Sequence, residues 1–385
     1  MPQWLGVHTV LTLAFAAFLV FHGLIHIMGF AKAFGYAALP GLTVAISPAM
    51  GLAWQVAACL FVAAAIAIYA CPRLWWVIAA LAVVVSTVAI LPSWVDARAG
   101  AVANIVVCVG IVFGALTYGP TSLRAAYDRD AVAALGAVPD DARAITDADL
   151  EALPGPVQRY LRTAGAVGQP RVRTMVARMH GRIRSAPDAP WMPFVAEQHN
   201  TFGPVPARLF YLTATRAMLP IQGYHRFMGA PASMVIKAAA VLPLVDVAGD
   251  EMTTSETVTL LNDLAIMAPG ALVDPRITWE PDPVASDDAT RTTVRAYFTH
   301  LGRRITADLV FAADGALVDF VSEDRAAASA DGATMTRRRW STPVGTVRAF
   351  GAIRLASVGE ARWHEAGRSW AYLELTIDDV AYNMR

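Results

Sequence analysis

The chain has 385 residues, of which 56% are hydrophobic and only 16% charged. That length admits two or three domains, and the apolar excess excludes an ordinary soluble protein. Basic and acidic residues balance at 31 each, which speaks against a nucleic-acid-binding surface, and the lone basic cluster Arg337 to Trp340 is one turn rather than a groove.

The excess lies before residue 119. Between Met1 and Tyr118 the only charged side chains are Lys32, Arg73, Asp96 and Arg98. They separate four apolar runs: Val7 to Phe30, Met50 to Ala70, Leu74 to Leu91 and Ala101 to Tyr118. A bilayer core of roughly 30 Å needs about 20 apolar residues in a helix, so these runs are expected to form a four-helix transmembrane bundle over residues 1–118. MPQWLGVH lacks the basic n-region of a cleaved leader, so the first run is read as retained. Arg73, Arg124 and Arg129 on one side outnumber Lys32 and Arg98 on the other. The positive-inside rule then favours a cytoplasmic N-terminus and a cytoplasmic soluble domain.

In FHGLIHIMGF, His22 and His26 lie one helical turn apart and share a stripe. Ionisable groups in a membrane face a bundle interior or cavity. Up-and-down topology gathers His22, His26, Asp96 and Asn104 at one membrane face as a polar cluster. A proton relay, a metal or a quinone pocket could use it; alternatively the imidazoles simply hydrogen-bond across helices. Two histidines on one helix cannot clamp a haem iron from both sides. Cys59, Cys71 and Cys108 do not obviously join the cluster, and the reading expects neither metal nor cofactor.

Residues 119–167 read as a helical linker. Thr146 or Asp147 can cap a first turn, and Pro156 can open a helix carrying Val157, Tyr160 and Leu161. After Gly168 the period switches to two, the strand signature. Met175, Ala177, Met179 and Ile183 alternate with basic residues and His180, and Ile305, Ala307, Leu309 and Phe311 repeat the pattern. Turn signals stand at Gly302, Asp314-Gly315, Asp331-Gly332 and Gly367. One segment breaks the rhythm. DEMTTSETVTLLNDLAIMAPGALV has Thr253 and Glu256 at capping-box spacing, then Val258, Leu261, Leu264 and Ala265 at helical spacing. Residues 168–385 are thus expected to form a mainly antiparallel β (α+β) domain, a curved sheet or half-barrel around one helix.

The motifs LPGPVQRYLRTAG, PWMPFVAEQ, SETVTLLNDLAIMAPGALV, FVSEDR, RRWSTPVGTVRAF, GEARWHEAG and VAYN resemble a bacterial family of unknown function defined by this C-terminal domain. Some of its members carry a multi-helix membrane region, and WVDARAGAVAN fits that pattern too. The resemblance covers roughly Ala152 to Asn383. It implies no catalytic residue, and a further similarity to the half-barrels of bacterial lipoprotein carriers implies a hydrophobic cavity.

A sheet curved around a helix can enclose such a cavity. Its expected lining is Phe194, Phe210, Tyr211, Phe298, Phe311 and Phe320, with Glu197, Asn262 and Asp263 as polar members. The leading expectation is a membrane-anchored binder of a lipid or other hydrophobic molecule. The alternative is a structural or sensory membrane protein that acts through a protein partner. Catalysis is a lesser reading: Glu197, Asp263, Glu323-Asp324-Arg325 and His364-Glu365 could supply acids or bases, yet no serine elbow, zinc motif or phosphate loop is present. In SEDR, strand alternation puts Glu323 and Arg325 on one face, where a cross-strand salt bridge is expected.

Overall fold

A computed structural model describes residues 4–138, 143–204, 206–216, 219–284, 288, 290–329, 334–365 and 367–384, with side chains from residue 10 onward. It divides into two compact units, Met1–Ala126 with Ala239–Val241, and Tyr127–Ala238 with Leu242–Arg385.

The first unit is built on four helices: α1 (Trp4–Ala33), α2 (Pro48–Ala70), α3 (Trp75–Ile90) and α4 (Trp94–Tyr118). Ser47 starts α2, its hydroxyl accepting from the Met50 amide at 3.3 Å, with Pro48 in the first turn where no amide is needed. Small residues let the helices close on one another: Ala16, Ala64, Ala79 and Ala82 are buried around Phe61 and Leu19. Leu91-Pro92-Ser93 forms a short 3-10 turn between α3 and α4, because proline cannot continue the α3 hydrogen bonds. Three stretches are long and apolar enough to cross a membrane: Val10–Ala33, Pro48–Ala70 and Trp75–Gly136. The expected four spans differ from this because α3 has only 16 residues and is grouped with α4, across the 3-10 turn, in the single stretch Trp75–Gly136.

Three short helical pieces precede the sheet: α5 (Leu123–Gly136), α6 (Asp147–Leu150) and α7 (Gly155–Thr163). Thr146 opens α6 with a reciprocal capping box to Asp149. Ile145, Leu150, Val157, Leu161 and Ala164 belong to the same hydrophobic core as the strands, so the stretch read as a linker is largely packed.

The sheet is formed by β1 (Thr174–Ile183), β2 (Met192–Thr201), β3 (Ala207–Arg216), β4 (Leu219–Met228), β5 (Ala232–Ala238), β6 (Leu242–Gly249), β7 (Ile277–Trp279), β8 (Arg291–His300), β9 (Arg303–Ala312) and β10 (Leu317–Ser322), and is completed by β13 (Trp340–Ser341), β16 (Val358–Glu365) and β17 (Arg368–Tyr382). Two small ribbons accompany it, β11 (Ala326–Ala328) with β12 (Met335–Arg337), and β14 (Val347–Phe350) with β15 (Ile353–Ala356). The thirteen strands run β6-β5-β4-β3-β2-β1-β17-β16-β13-β10-β9-β8-β7, every neighbour antiparallel. The result is a large curved sheet, a half-barrel. Two meanders meet at the β1–β17 pair, and the chain must pass from the β6 edge to the β7 edge between them.

The helix α8 (Asp250–Met267) makes that passage. It touches β5, β6, β9 and β10, and the inward set of the strands closes around it: Met175, Ala177, Ile305, Ala307, Leu309 and Phe311 are all at most 1% exposed. The period-two expectation for these strands is met. Turns fall at Gly302, Gly315 and Gly367, each with positive φ, the conformation glycine tolerates best; Asp331-Gly332 lies outside the described residues. The expected capping box on α8 is not one. The cap is Gly249, four residues earlier, the Thr253 hydroxyl donates back to the Gly249 carbonyl at 2.7 Å, and Glu256 is buried in the interior.

Candidate functional site

Gln198 and Asn200 on β2, and Arg208, Phe210 and Leu212 on β3, follow the strand period of two, and all five are buried. Three of them carry polar groups into the interior, where burial is costly unless every group is paired. Arg208 satisfies this with two carboxylates from α8. Its Nε donates to Asp263 Oδ2 at 2.7 Å and its Nη1 to Glu256 Oε2 at 2.9 Å. Gln198 and Asn200 donate to the same Asp263 oxygen at 2.6 and 2.9 Å, while His225 Nδ1 on β4 meets Glu256 Oε1 at 3.1 Å. Glu256 and Asp263 lie seven positions apart, two helical turns, so both face the same strands.

Burial opposes ionisation of Glu256, but the Arg208 guanidinium and the His225 contact outweigh it and hold its carboxyl down at about 2. Burial pushes Asp263 up from the ordinary carboxylate value, against the pull of Arg208 and Asn200. Three donors converging on one oxygen nevertheless mark Asp263 as the ionised acceptor of the group.

This ionic group forms one wall of a pocket of about 980 Å³, counting its open mouth. The rest is mainly apolar, including Ile183, Leu212, Ile266, Met267, Leu373 and Leu375. A second polar group stands in it. Asn262 donates to Thr342 Oγ1 at 2.6 Å; Arg325 Nε donates to Thr259 Oγ1 at 3.1 Å and its Nη1 to the Tyr372 hydroxyl at 3.3 Å. The Arg325 guanidinium also lies over Trp340 and Trp363, 4.5 and 5.2 Å from the ring centres, a favourable cation–π geometry.

Among the residues expected from sequence, Phe210, Asn262 and Asp263 line this pocket. Phe194, Phe298, Phe311 and Phe320 are at most 1% exposed and belong to the packed core, where aromatic side chains most often end. Glu197 faces away: it stands opposite Arg178 of β1, 3.8 Å from its Nε. Tyr211 cannot share a face with its neighbour Phe210 and packs instead against Tyr127 of α5, ring centres 5.5 Å apart. Of the two residues expected in a cross-strand salt bridge, Glu323 makes one and Arg325 does not. Regular pairing of β10 ends at Ser322, after which Glu323 binds Arg339 at 3.0 Å while Arg325 turns into the pocket.

Sequence reasoning missed Arg208, Gln198 and His225, and gave Glu256 and Arg325 other roles. A signal for the first two was present: Gln198 and Asn200 alternate in register with buried Ala196, and Arg208 with Phe210 and Leu212.

In the first unit His22 and His26 are 2% and 1% exposed. His26 Nδ1 donates to the His22 carbonyl at 2.9 Å, which leaves its Nε2 to accept from the Ser86 hydroxyl of α3 at 2.8 Å. His22 Nε2 donates to Asn104 Oδ1 on α4 at 2.9 Å, an oxygen that also lies 3.1 Å from Ser86 Oγ. The expected partner Asn104 is therefore present, and Asp96 is not. Asp96 is two turns earlier on α4, where its carboxylate accepts from Thr43 Oγ1 and the Val44 amide, both at 2.7 Å, and anchors the α1–α2 loop. Among the described residues no group of three or more His, Cys, Asp or Glu side chains is placed to hold a metal ion.

A helical region followed by a half-barrel with an internal, largely apolar pocket defines the class of this protein. The chain belongs to a family of unknown function, DUF6544, whose model matches residues 143–375. No curated protein matches it. Among solved structures it is similar to a domain assigned to outer membrane lipoprotein sorting from Vibrio parahaemolyticus, at 9% identity and a TM-score of 0.33 over 55% of this chain and 86% of that one. It is also similar to a DUF1329 family protein from Desulfovibrio piger, at 8% identity and a TM-score of 0.35 over 63% of this chain and 95% of that one.

Proposed function

We propose that the protein is a membrane-anchored binder that holds a lipid or other hydrophobic molecule in the half-barrel pocket. The observation that carries the reading is the pocket itself, walled chiefly by aliphatic side chains beside α8 and open at its mouth, the kind of concave apolar site that takes small molecules. Burying eight methylenes there would contribute roughly 6 kcal/mol at about 0.8 kcal/mol each, before the cost of ordering the chain. Membrane anchoring is supported by the outer surface of the helices. Val102, Ile105 and Val109 of α4 and Val84 and Val88 of α3 are each more than half exposed, and a contiguous apolar exterior of that kind suits lipid rather than water. Four crossings of a bacterial inner membrane, with the half-barrel in the cytoplasm, are the topology that the Arg73, Arg124 and Arg129 side favours.

The test is retention. Full-length protein extracted from membranes and analysed by native mass spectrometry should carry a hydrophobic adduct. Ile266→Trp, which places an indole in the pocket, should cut the adduct at least fivefold with an unchanged circular-dichroism spectrum. Ala265, the inward α8 position that spacing alone would choose, is packed in the core with its carbonyl accepting from the Tyr160 hydroxyl at 2.7 Å, so a bulky residue there would disturb the fold instead. An empty wild-type protein that takes up no added hydrophobic probe would overturn the reading in favour of a partner-binding role.

A further inference from the structure

Arg325 is a half-buried guanidinium in the pocket wall, and among the described residues none of its hydrogen bonds goes to a carboxylate, Glu256 acting on it only through space. Its hydrogen bonds go to neutral hydroxyls, Thr259 and Tyr372, and its faces to Trp340 and Trp363. The surrounding acids are engaged elsewhere. Glu256 and Asp263 hold Arg208, Glu360 binds Arg362 at 2.7 Å, Glu323 binds Arg339, and Asp324 accepts from the Thr306 amide at 2.8 Å. A cation partly removed from water with no anion bonded to it directly is costly, and guanidinium is the group best shaped to grip an oxyanion in two places. The tryptophans and Tyr372 fix the plane of that fork in advance. The apolar wall supplied by Ile183, Leu373 and Leu375 leads from the same site.

We propose that the ligand is an amphiphile with an oxyanion head, which docks on Arg325 while its hydrocarbon tail lies along the aliphatic wall. This rests on the hydrophobic-ligand reading above and narrows it to one chemical class. Head and tail then contribute separately: the tail through burial, the head through a charge-assisted pair that a neutral ligand of equal length cannot make.

The experiment compares hexadecanoate with hexadecanol, by calorimetric titration of the full-length protein in lipid nanodiscs with empty nanodiscs as the blank. The acid should bind at least tenfold more tightly than the alcohol. Arg325→Gln should bring the two within twofold of each other, and Arg325→Lys, which keeps the charge, should restore at least part of the preference if the glutamine variant is poorly folded. Hexadecyl phosphate and inorganic phosphate separate the sources of the oxyanion. Tight binding of the phosphate ester supports the same site, whereas displacement of hexadecanoate by inorganic phosphate at low millimolar concentration would mark a free-anion site and overturn the amphiphile. Equal binding of acid and alcohol by the wild type would overturn the head-group assignment while leaving a hydrophobic pocket in place. Binding of neither would remove both.

Discussion

Arg208 shows what a single side chain contributes here. It is 7% exposed and bridges β3 to two acids on α8, so it ties the sheet to the helix that fills it. Arg208→Met would leave Glu256 and Asp263 facing each other without a cation, and breaking a buried ion pair from one side costs about 3–5 kcal/mol. The denaturant midpoint of the half-barrel should fall accordingly. Adding Glu256→Gln and Asp263→Asn should recover part of the loss, because the buried charges go with the cation; no recovery would mean that Arg208 acts through packing alone. Little of this was legible in the sequence, since Gln198, Arg208, Glu256 and Asp263 come from three separate elements and nothing in their local spacing announces that they meet. Glu256 was even misleading, because its offset from Thr253 imitates a capping box.

At the scale of elements, reading was easier where burial on one face imposes a period. β1 and β9 alternate because one side meets the core, and α8 shows helical spacing over Val258, Leu261 and Leu264. Alternation failed in part where regular pairing ended: extending the β10 period past Ser322 put Glu323 and Arg325 alike in cross-strand salt bridges, and only Glu323 makes one, with Arg339. In the helical unit, His22 and His26 were legible as inward-facing, but their partners were only half so. Asn104 was reached by topology, and Ser86 was not singled out because one serine in an apolar run carries no spacing signal. Asn104 joins α1 to α4, and its amide donates to Thr87 of α3 at 3.2 Å. Polar links between membrane helices are worth roughly 0.6–2 kcal/mol each, so Asn104→Leu should lower the stability of the helical unit by about 1–3 kcal/mol, read as a loss of helicity at lower detergent-denaturant concentration. An unchanged transition would show that the alanine-rich contacts alone hold the helices.

For the molecule as a whole, the family match spans residues 143–375 and so concerns the half-barrel rather than the apolar helices. The sheet announced itself through its strands, but its strand order did not. Hairpins predict neighbours along the chain, whereas β1 beside β17 is a long-range pairing that no local pattern encodes. That seam joins His180 to Asp378, 198 positions apart, at 2.8 Å, and at its end the Asn383 side chain accepts from the Arg173 amide at 2.8 Å and donates to the Arg171 carbonyl at 3.0 Å. Each meander can assemble from short loops, but the seam must wait for the chain between its halves to be gathered, a loop-closure cost that local hairpins avoid. The central pair of strands in the finished sheet is thus expected to be the last to form. In pulsed hydrogen exchange during refolding, amides that bond β1 to β17 should become protected after those joining β3 to β4 or β8 to β9; simultaneous protection would show instead that the sheet condenses in one step. The middle of this fold, in space, is its end in time.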